Sequence, residues 1–331
     1  MNRFTADQVK LGFVGVGAMG SRLVRRLVDH GYQVIVFDQN QSAVGELRAI
    51  GASAGKSLAE LAENADVILS CLTDDNAVRN VYLKRDGILD GIQRGKAVIE
   101  MSTISPQTSR EVHAQGYKQG VNVMDVAISG STPAVEQGTV TLLAGGDAEL
   151  FEAAEPMFQT LASQYFLMGP SGAGTSMKLV VNTVLGVSLQ AIAEGIALGE
   201  AEGLDRKRLL EVLAQTAVVP PAHKGKLAKA EQNDYAAQFA VGLMNKDFRL
   251  ILESAKSSNL MLPATAAAYN VNSAAFNEDS SSDLSSVIRY MEELVQSRAL
   301  EKTESIRRGY PNIPQPKWPG MDESAETMSV P

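Results

Sequence analysis

The sequence has few of the residues that build disulfides, metal sites or nucleic-acid surfaces. Cys71 is the only cysteine among 331 residues, so an intramolecular disulfide is excluded and a reducing, cytoplasmic compartment is expected. The three histidines, His30, His113 and His223, are not spaced for a shared metal site, and we expect none. With a net charge of −8 and no cluster of basic residues, a nucleic-acid partner is not expected.

Long uninterrupted hydrophobic runs are also missing. The most apolar stretch, residues 177–201, contains Lys178, Asn182, Gln190 and Glu194, which predicts a buried helix and no membrane partner. The first residues lack the apolar segment of a signal peptide. Because histidine is so rare, lysine, aspartate, glutamate or tyrosine is expected to supply any acid–base chemistry.

The most informative segment is a glycine-rich turn between a predicted strand and a predicted helix. An apolar run at residues 11–14 leads into Gly15-Val16-Gly17-Ala18-Met19-Gly20, a G-x-G-x-x-G pattern. In a dinucleotide-binding unit the first glycine allows the turn, the second lets a pyrophosphate approach, and the third lets the helix pack closely. Free N–H groups at the start of the helix then bind the phosphates. We therefore predict that residues 15–20 bind a dinucleotide.

An acidic residue follows the next predicted strand, at residues 33–37. Asp38 lies about 20 residues after the glycine pattern, where an acid that binds the cofactor ribose is expected. Its carboxylate accepts hydrogen bonds from a 2′-hydroxyl but repels a 2′-phosphate, and residues 39–42 include no arginine. NAD(H) is therefore predicted to be preferred over NADP(H). A simple turn role for Asp38 at the strand end is the alternative.

Strand and helix signals alternate over the first half of the chain. Strands are predicted at residues 66–72, 96–101, 121–126 and 165–168, and helices at the Ser105-Pro106 and Asp147 caps lie between them. This alternation predicts an α/β Rossmann-type doubly wound sheet domain over residues 1–169. The alternating pattern at residues 139–144 predicts an antiparallel addition to the sheet.

Strand signals end near residue 170, and the remaining segments are predicted to be helical. One helix covers residues 175–202, and further helices follow the Asp205 cap and lie at about 224–232, 238–258, 263–276 and 282–298. We predict an all-α domain over residues 170–308, built around the long interdomain helix. Residues 309–331 hold five of the 12 prolines and are expected to form an extended tail.

Two polar residues interrupt the apolar long helix. Lys178 and Asn182 are four positions apart and therefore lie on the same face. Apolar surroundings disfavour the charged form of lysine and lower its pKa, which suits proton exchange with a substrate oxygen. Asn182 is placed to hold the lysine or the substrate. From the pattern alone, a lysine that extends to solvent is the alternative.

Two further segments carry polar groups suited to a site. Ser129-Gly130-Ser131 follows a predicted strand, and ligands of open α/β sheets bind beyond the carboxyl ends of strands. Its hydroxyl and N–H donors suit a carboxylate, and a plain serine–glycine turn is the alternative. The other segment is Asn245-Lys246-Asp247-Phe248, for which an exposed ion pair is the alternative.

Together these segments resemble the β-hydroxyacid dehydrogenase family over about residues 10–300. The family's cofactor motif G-x-G-x-M-G matches residues 15–20, including Met19. Its catalytic motif G-x-G-x-x-x-K-x-x-x-N runs from Gly172 to Asn182, and its K-D motif falls at Lys246 and Asp247. Its substrate motif D-x-P-V-S-G-G corresponds to residues 125–131, and residues 101–106 match its segment near the nicotinamide.

The resemblance implies an NAD(P)-dependent oxidoreductase that interconverts a small 3-hydroxy acid, like 3-hydroxyisobutyrate, and its semialdehyde. Lys178 is the expected general acid and base, and Asn182 is expected to position the substrate. The substrate carboxylate is expected at Ser129, Gly130 and Ser131. Besides residues 15–20 and Asp38, cofactor contacts are expected at Leu72, Thr73, Thr103, Lys246 and Asp247. The family also implies a homodimer or homotetramer that assembles through the long helix.

The chain departs from the family pattern mainly around the substrate segment. Ala127 replaces the family proline and Ser131 replaces the second glycine, so a reshaped pocket is expected. Thr73 also stands where proline is usual. The alternatives are an imine reductase on the same fold and a non-catalytic dinucleotide-binding protein. Both kinds of relative tend to lack the lysine that this chain keeps at position 178.

Overall fold

The first part of the chain folds into one sheet flanked by helices. The computed structural model describes the backbone of residues 1–309 and the side chains of residues 1–297. The strands are β1 (Lys10–Val14), β2 (Gln33–Phe37), β3 (Ser53–Ala54), β4 (Val67–Ser70), β5 (Ala97–Glu100), β6 (Asn122–Ser129), β7 (Val140–Gly145) and β8 (Ala162–Leu167). The helices of this part are α1 (Gly20–Asp29), α2 (Gln41–Arg48), α3 (Leu58–Asn64), α4 (Asp75–Tyr82), α5 (Ile88–Gly91), α6 (Pro106–Gln119), α7 (Thr132–Gln137) and α8 (Ala148–Leu161).

The strand order is β3-β2-β1-β4-β5-β6-β7-β8. Neighbouring strands are parallel except β6 and β7, which pair in the antiparallel direction. The chain runs from β1 out to β3 and then returns to the other side of β1 at β4. The carboxyl ends of β1 and β4 therefore flank the crevice in which doubly wound sheets bind their ligands. The predicted fold class and the antiparallel addition are confirmed.

Apolar side chains cover both faces of this sheet. Phe13, Leu69 and Ile99 belong to a buried cluster on one face, and Ile68 and Val98 belong to another on the opposite face. Successive residues of the central strands are thus buried on opposite sides, as expected for parallel strands with helices on both faces. This packing presents the strand ends at a rigid edge.

The second part of the chain is helical and surrounds one long central helix. Its helices are α9 (Ala173–Ala201), α10 (Arg206–Gln215), α11 (Pro221–Glu231), α12 (Val241–Ser257), α13 (Pro263–Glu278) and α14 (Ser286–Gly309). Leu189, Ala193 and Ile196 of α9 are buried in the core of this part. Among the described residues, α9 alone has the length and hydropathy of a membrane-spanning helix, which core helices of soluble proteins share.

Several boundaries differ from the predicted ones. β6 continues past residue 126 to Ser129 because it stays paired with β7 as far as Thr141. α7 is an unpredicted short helix that ends at Gln137 and is capped by Gly138, whose φ is +67°. α11 begins at Pro221, earlier than the predicted start at about 224, so it includes His223, whose Nε2 is 2.8 Å from Ser188 Oγ.

The predicted division of the chain at residue 169 stays a prediction. The last strand ends at Leu167 and α9 begins at Ala173, so the change from strands to helices falls between them. Gly309 ends α14, and the rest of the predicted tail, residues 310–331, lies outside the described residues.

Candidate active site

The glycine-rich turn lies between β1 and α1, and its three glycines meet different surroundings. A Cβ on Gly15, which has φ +88°, would lie 2.4 Å from the carbonyl oxygen of Cys71. A Cβ on Gly20 would lie 1.9 Å from the carbonyl oxygen of Gly15, so close packing requires glycine at both positions. A Cβ on Gly17 would meet nothing within 4 Å. The turn is therefore open at the second glycine, where a dinucleotide pyrophosphate approaches, and it fits that group.

The start of α1 is also suited to phosphate. Met19 occupies the N-cap position without a side-chain hydrogen bond, and the first turn contains no acidic residue. Gly17 and Ala18 are exposed at this end, whereas Val16 is buried. Free N–H groups at the start of a helix and the positive end of its dipole bind anions, so this exposed helix end is suited to phosphate.

Asp38 directly follows β2 and is held against the glycine turn. Its Oδ2 accepts a hydrogen bond from Val16 N at 2.7 Å, and its Oδ1 accepts one from Asn40 N at 2.7 Å. A carboxylate has about four lone-pair sites, so these two bonds leave it able to accept a ribose hydroxyl. The two bonds fix a negative charge at the end of β2.

The segments after β4 and β5 line the other side of the crevice. A Cβ on Gly15 would be 2.9 Å from Leu72 Cδ2, so Leu72 lies beside the glycine turn, and Thr73 follows it in the chain. Leu72 N donates to Ser102 Oγ at 2.7 Å. Lys246 Nζ on α12 donates to the carbonyl oxygen of Thr103. These contacts bring Leu72, Thr103 and Lys246, three of the residues predicted to contact the cofactor, to the same side of the crevice.

A buried polar cluster joins α9 to α12. Asn182 Nδ2 donates to Asp247 Oδ2 at 2.6 Å, and Lys246 Nζ lies 3.1 Å from Asp247 Oδ1. Lys178 lies one turn before Asn182 on the same helix face, and only 8% of its surface is exposed. The alternatives of an exposed Lys246–Asp247 pair and of a lysine directed to solvent at position 178 are therefore wrong.

The surroundings of Lys178 shift its protonation. Burial lowers the pKa of Lys178, the carboxylate of Asp247 raises it, and the charge of Lys246 lowers it, with a net decrease.

Because a carboxylate only accepts hydrogen bonds, Asn182 must turn its Nδ2 toward Asp247. Asn182 Oδ1 is then a buried acceptor without a partner among the described residues.

The predicted substrate segment joins β6 to α7. Ser129 ends the strand, and Gly130 has φ +154°, where a Cβ would lie 2.6 Å from Val140 Cγ1. Ser131 occupies the N-cap position of α7, but its side chain makes no capping hydrogen bond. Pro133, the second helical residue, has no N–H to offer it. The hydroxyl of Ser131 is therefore not used in starting its own helix.

Asp125 has a role that the sequence pattern did not reveal. Its Oδ1 accepts from Gly172 N at 2.6 Å, and its Oδ2 accepts from Thr175 N at 2.8 Å and Thr175 Oγ1 at 3.1 Å. A carboxylate at a helix N-terminus satisfies free N–H groups and complements the helix dipole. Asp125 thus fixes the start of α9 to β6, shortly before Lys178.

Two family models match successive stretches of the chain. The model of the NAD binding domain of 6-phosphogluconate dehydrogenase matches residues 10–169. The model described as NAD-binding of NADP-dependent 3-hydroxyisobutyrate dehydrogenase matches residues 172–291. The two matches cover the sheet part and most of the helical part.

Individual relatives agree with these matches. An NAD-dependent L-serine dehydrogenase of Pseudomonas aeruginosa is 37% identical over 261 residues, which are 77% of this chain and 88% of that protein. The structure of Mycobacterium tuberculosis 3-hydroxyisobutyrate dehydrogenase with L-serine has a TM-score of 0.79 at 28% identity, covering 86% of this chain and 99% of that one. An imine reductase from Myxococcus stipitatus, with a TM-score of 0.60 and 20% identity over 86% of this chain and 99% of its own, shares the fold alone. The chain belongs to the β-hydroxyacid dehydrogenase family and is an NAD(P)-dependent enzyme of that family.

Proposed function

We propose that the protein is an NAD-preferring dehydrogenase that interconverts a small 3-hydroxy acid, of the 3-hydroxyisobutyrate class, and its semialdehyde. The observation that carries this proposal is the buried Lys178, with its lowered pKa, on the same helix face as the Asp247-bound Asn182. The nicotinamide cofactor supplies or takes up the hydride when bound. The residues of the chain bind, orient and exchange the proton.

Lys178 is the proposed proton carrier. In oxidation its neutral amine takes the proton of the substrate hydroxyl, and in reduction its ammonium group gives a proton to the carbonyl oxygen. The lowered pKa makes both forms available closer to neutral pH than for a free lysine. Asn182, held by Asp247, keeps Oδ1 as an acceptor for the lysine amine or for the substrate.

The segment at the end of β6 supports the proposed substrate class. We assign the substrate carboxylate to Ser129, Gly130 and Ser131, where hydroxyl and backbone N–H donors lie beyond a strand end. L-serine and 3-hydroxyisobutyrate, which the names of the relatives contain, are both 3-hydroxy carboxylates that differ at C2. A compact acid of this kind suits the proposed site.

Asp38 supports the cofactor preference. Its fixed carboxylate at the end of β2 suits the 2′-hydroxyl of NAD and repels the 2′-phosphate of NADP. We expect kcat/KM to be at least about tenfold higher with NAD than with NADP, which is about 1.4 kcal/mol. Equal values for the two cofactors would remove this part of the proposal.

The outward face of α9 supports assembly into a homodimer or homotetramer. Val180, Val184 and Leu198 are 55%, 63% and 64% exposed, and Ala191 lies exposed on the same face. A row of exposed apolar side chains is typical of an interaction surface. Val184→Glu is expected to lower the molar mass measured by light scattering toward that of the monomer, and an unchanged mass would contradict the assembly.

Lys178→Ala tests the proposed chemistry. With a panel of small 3-hydroxy acids, we expect kcat to fall by about 10²- to 10⁴-fold while NADH binds as in the wild type. Lys256→Ala, which removes an exposed lysine from α12, is the matched control and should keep full activity. Near-wild-type turnover by Lys178→Ala would refute its role. A wild type that binds NADH but converts no member of the panel would favour the non-catalytic alternative.

A further inference from the structure

Glu100 is a buried acid that the proposed proton transfer does not use. It ends β5, in register with Ser70 of β4 and Asp125 of β6, so the three polar side chains share one face at the carboxyl edge of the sheet. Its exposed fraction is only 2%. A carboxyl group buried at the end of an apolar strand needs a reason, because its charged form is costly there.

The hydrogen bonds of Glu100 lead directly into the cofactor crevice. Glu100 Oε1 accepts from Ser102 N at 2.7 Å, and Ser102 Oγ in turn accepts from Leu72 N at 2.7 Å. The next residue, Thr103, accepts from Lys246 Nζ through its carbonyl oxygen. One carboxyl group therefore holds the turn that joins the segment after β5 to the segment after β4 and to α12.

One carboxyl oxygen of Glu100 lacks a hydrogen-bond partner, and little positive charge lies near the group to stabilise its ionised form. Its Oε2 is buried and has no hydrogen-bond partner among the described residues. Four titratable groups face it, namely Asp125 on β6, Lys246 on α12, Cys71 after β4 and Tyr82 on α4. Asp125 is already held by the start of α9, and Lys246 lies against Asp247.

Burial raises the pKa of Glu100 to about 8, and Asp125 adds to this increase, while Ser102 and Lys246 oppose it. The carboxyl group is then mainly neutral at pH 7. A neutral carboxyl still offers Oε1 as an acceptor to Ser102, which a glutamine side chain would also do.

We propose that Glu100 is a positioning residue for the nicotinamide end of the cofactor, acting through Ser102 on Leu72 and Thr103. The inference rests on the proposed function and on a nicotinamide that lies beside Thr103, as the resemblance of residues 101–106 to the family's segment near the nicotinamide implies. Glu100 itself exchanges no proton with the substrate in this arrangement. Its contribution is to preorganise the wall against which the ring is held, so that cofactor binding does not have to order the segment.

The test compares binding of NADH with binding of ADP-ribose, which has the same adenosine diphosphate part but lacks the nicotinamide. Glu100→Leu removes the acceptor at similar size, and we expect it to raise the Kd for NADH about tenfold, measured by calorimetry. The Kd for ADP-ribose should stay within about twofold. Glu100→Gln keeps the acceptor and should restore NADH binding to within about threefold of the wild type.

Two further variants keep the experiment decisive. Tyr82→Phe removes another buried hydrogen bond in this layer, from Tyr82 Oη to Ser70 Oγ, and should change neither Kd. Ser102→Ala breaks the link to Leu72 with a smaller change, and should weaken NADH selectively even if Glu100→Leu does not fold.

Three outcomes would overturn the inference. The first is an unchanged Kd for NADH in both Ser102→Ala and a folded Glu100→Leu. The second is a Glu100→Leu variant that loses affinity for NADH and for ADP-ribose by the same factor. The third is a Glu100→Gln variant that binds NADH as weakly as Glu100→Leu. A wild type that binds both ligands but oxidises no hydroxy acid would refute the proposed function instead, and the ratio of the two Kd values would still decide the role of Glu100.

Discussion

Asn182 on α9 and Asp247 on α12 are joined by a buried hydrogen bond of 2.6 Å from Nδ2 to Oδ2. The other oxygen of the same carboxylate lies 3.1 Å from Lys246 Nζ, which also donates to the carbonyl oxygen of Thr103. Asp247 thus orders one residue of the proposed proton-transfer site and one of the proposed nicotinamide site. Removing its carboxylate would leave buried polar groups without partners, which is costly.

We expect Asp247→Leu to lower kcat/KM for hydroxy-acid oxidation about 100-fold, since both Asn182 and Lys246 lose their anchor. The pH dependence should also move. Asp247 raises the pKa of Lys178, so its removal lowers that pKa further, and the rise of oxidation with pH should occur at lower pH. The measurement is a pH profile of kcat/KM for the variant and the wild type. Profiles that rise at the same pH in the variant and the wild type would show that Asp247 does not shift the pKa of Lys178.

Two substitutions in the glycine turn are expected to affect different properties, one the stability of the fold and the other the binding of NADH. Gly20→Ala places a Cβ 1.9 Å from the Gly15 carbonyl oxygen and should destabilise the fold by about 1–3 kcal/mol, seen as a lower Tm. Gly17→Val points into open space and should leave Tm nearly unchanged while raising the Kd for NADH at least about tenfold. If Gly17→Val binds NADH normally, the pyrophosphate does not approach at this position.

Ser131 is expected to influence substrate choice through its uncommitted hydroxyl. Ser131→Gly restores the family residue and keeps the backbone N–H for the carboxylate that both substrates share. It should raise kcat/KM for 3-hydroxyisobutyrate relative to L-serine about tenfold, because the lost hydroxyl can also accept a hydrogen bond from the C2 amine, which only L-serine has. Ser131→Ala removes the hydroxyl without adding the backbone freedom of glycine, and it should change the ratio of the two kcat/KM values in the same direction. A ratio that neither variant changes would place the hydroxyl outside the substrate pocket.

Glu100 should make stability fall as pH rises. Its pKa is raised to about 8 from an ordinary value of 4.5, so the folded chain holds a proton that the unfolded chain has lost between these values. This contribution is fully present below pH 4.5 and is lost as pH rises through about 8. Between pH 6 and pH 9, Tm of the wild type should drop about 5 °C more than Tm of Glu100→Gln. Equal drops would mean that Glu100 does not carry the proton.

Local patterns in the sequence are sufficient to predict the fold class and the location of the cofactor turn. The alternation of strand and helix signals reflects backbone hydrogen bonding and burial within each element, which neighbouring residues decide. The spacing of Gly15, Gly17 and Gly20 has the same origin, since a tight turn and a close helix–strand contact exclude side chains at particular positions. The i, i+4 spacing of Lys178 and Asn182 likewise follows from helix geometry.

One of the short elements that the pattern missed, α7, also has a local reason. α7 spans only Thr132–Gln137, too short for an apolar periodicity to develop, and the proline at its second position removes the usual cap. The buried Glu100 did carry a signal, since a charged residue directly after the apolar run at residues 97–99 of a predicted strand is unusual. Its partner Ser102 had no such signal.

By itself, the sequence determined a doubly wound sheet, a glycine turn for a dinucleotide, and a helix that carries a lysine and an asparagine on one face. Only the tertiary structure decided that Lys178 is buried, that Asp247 holds Asn182, and that Asp125 fixes the start of α9. The physical reason is that these partners are far apart in the chain. Their contacts, and the desolvation that shifts the pKa of Lys178, exist only once α9 packs against both β6 and α12.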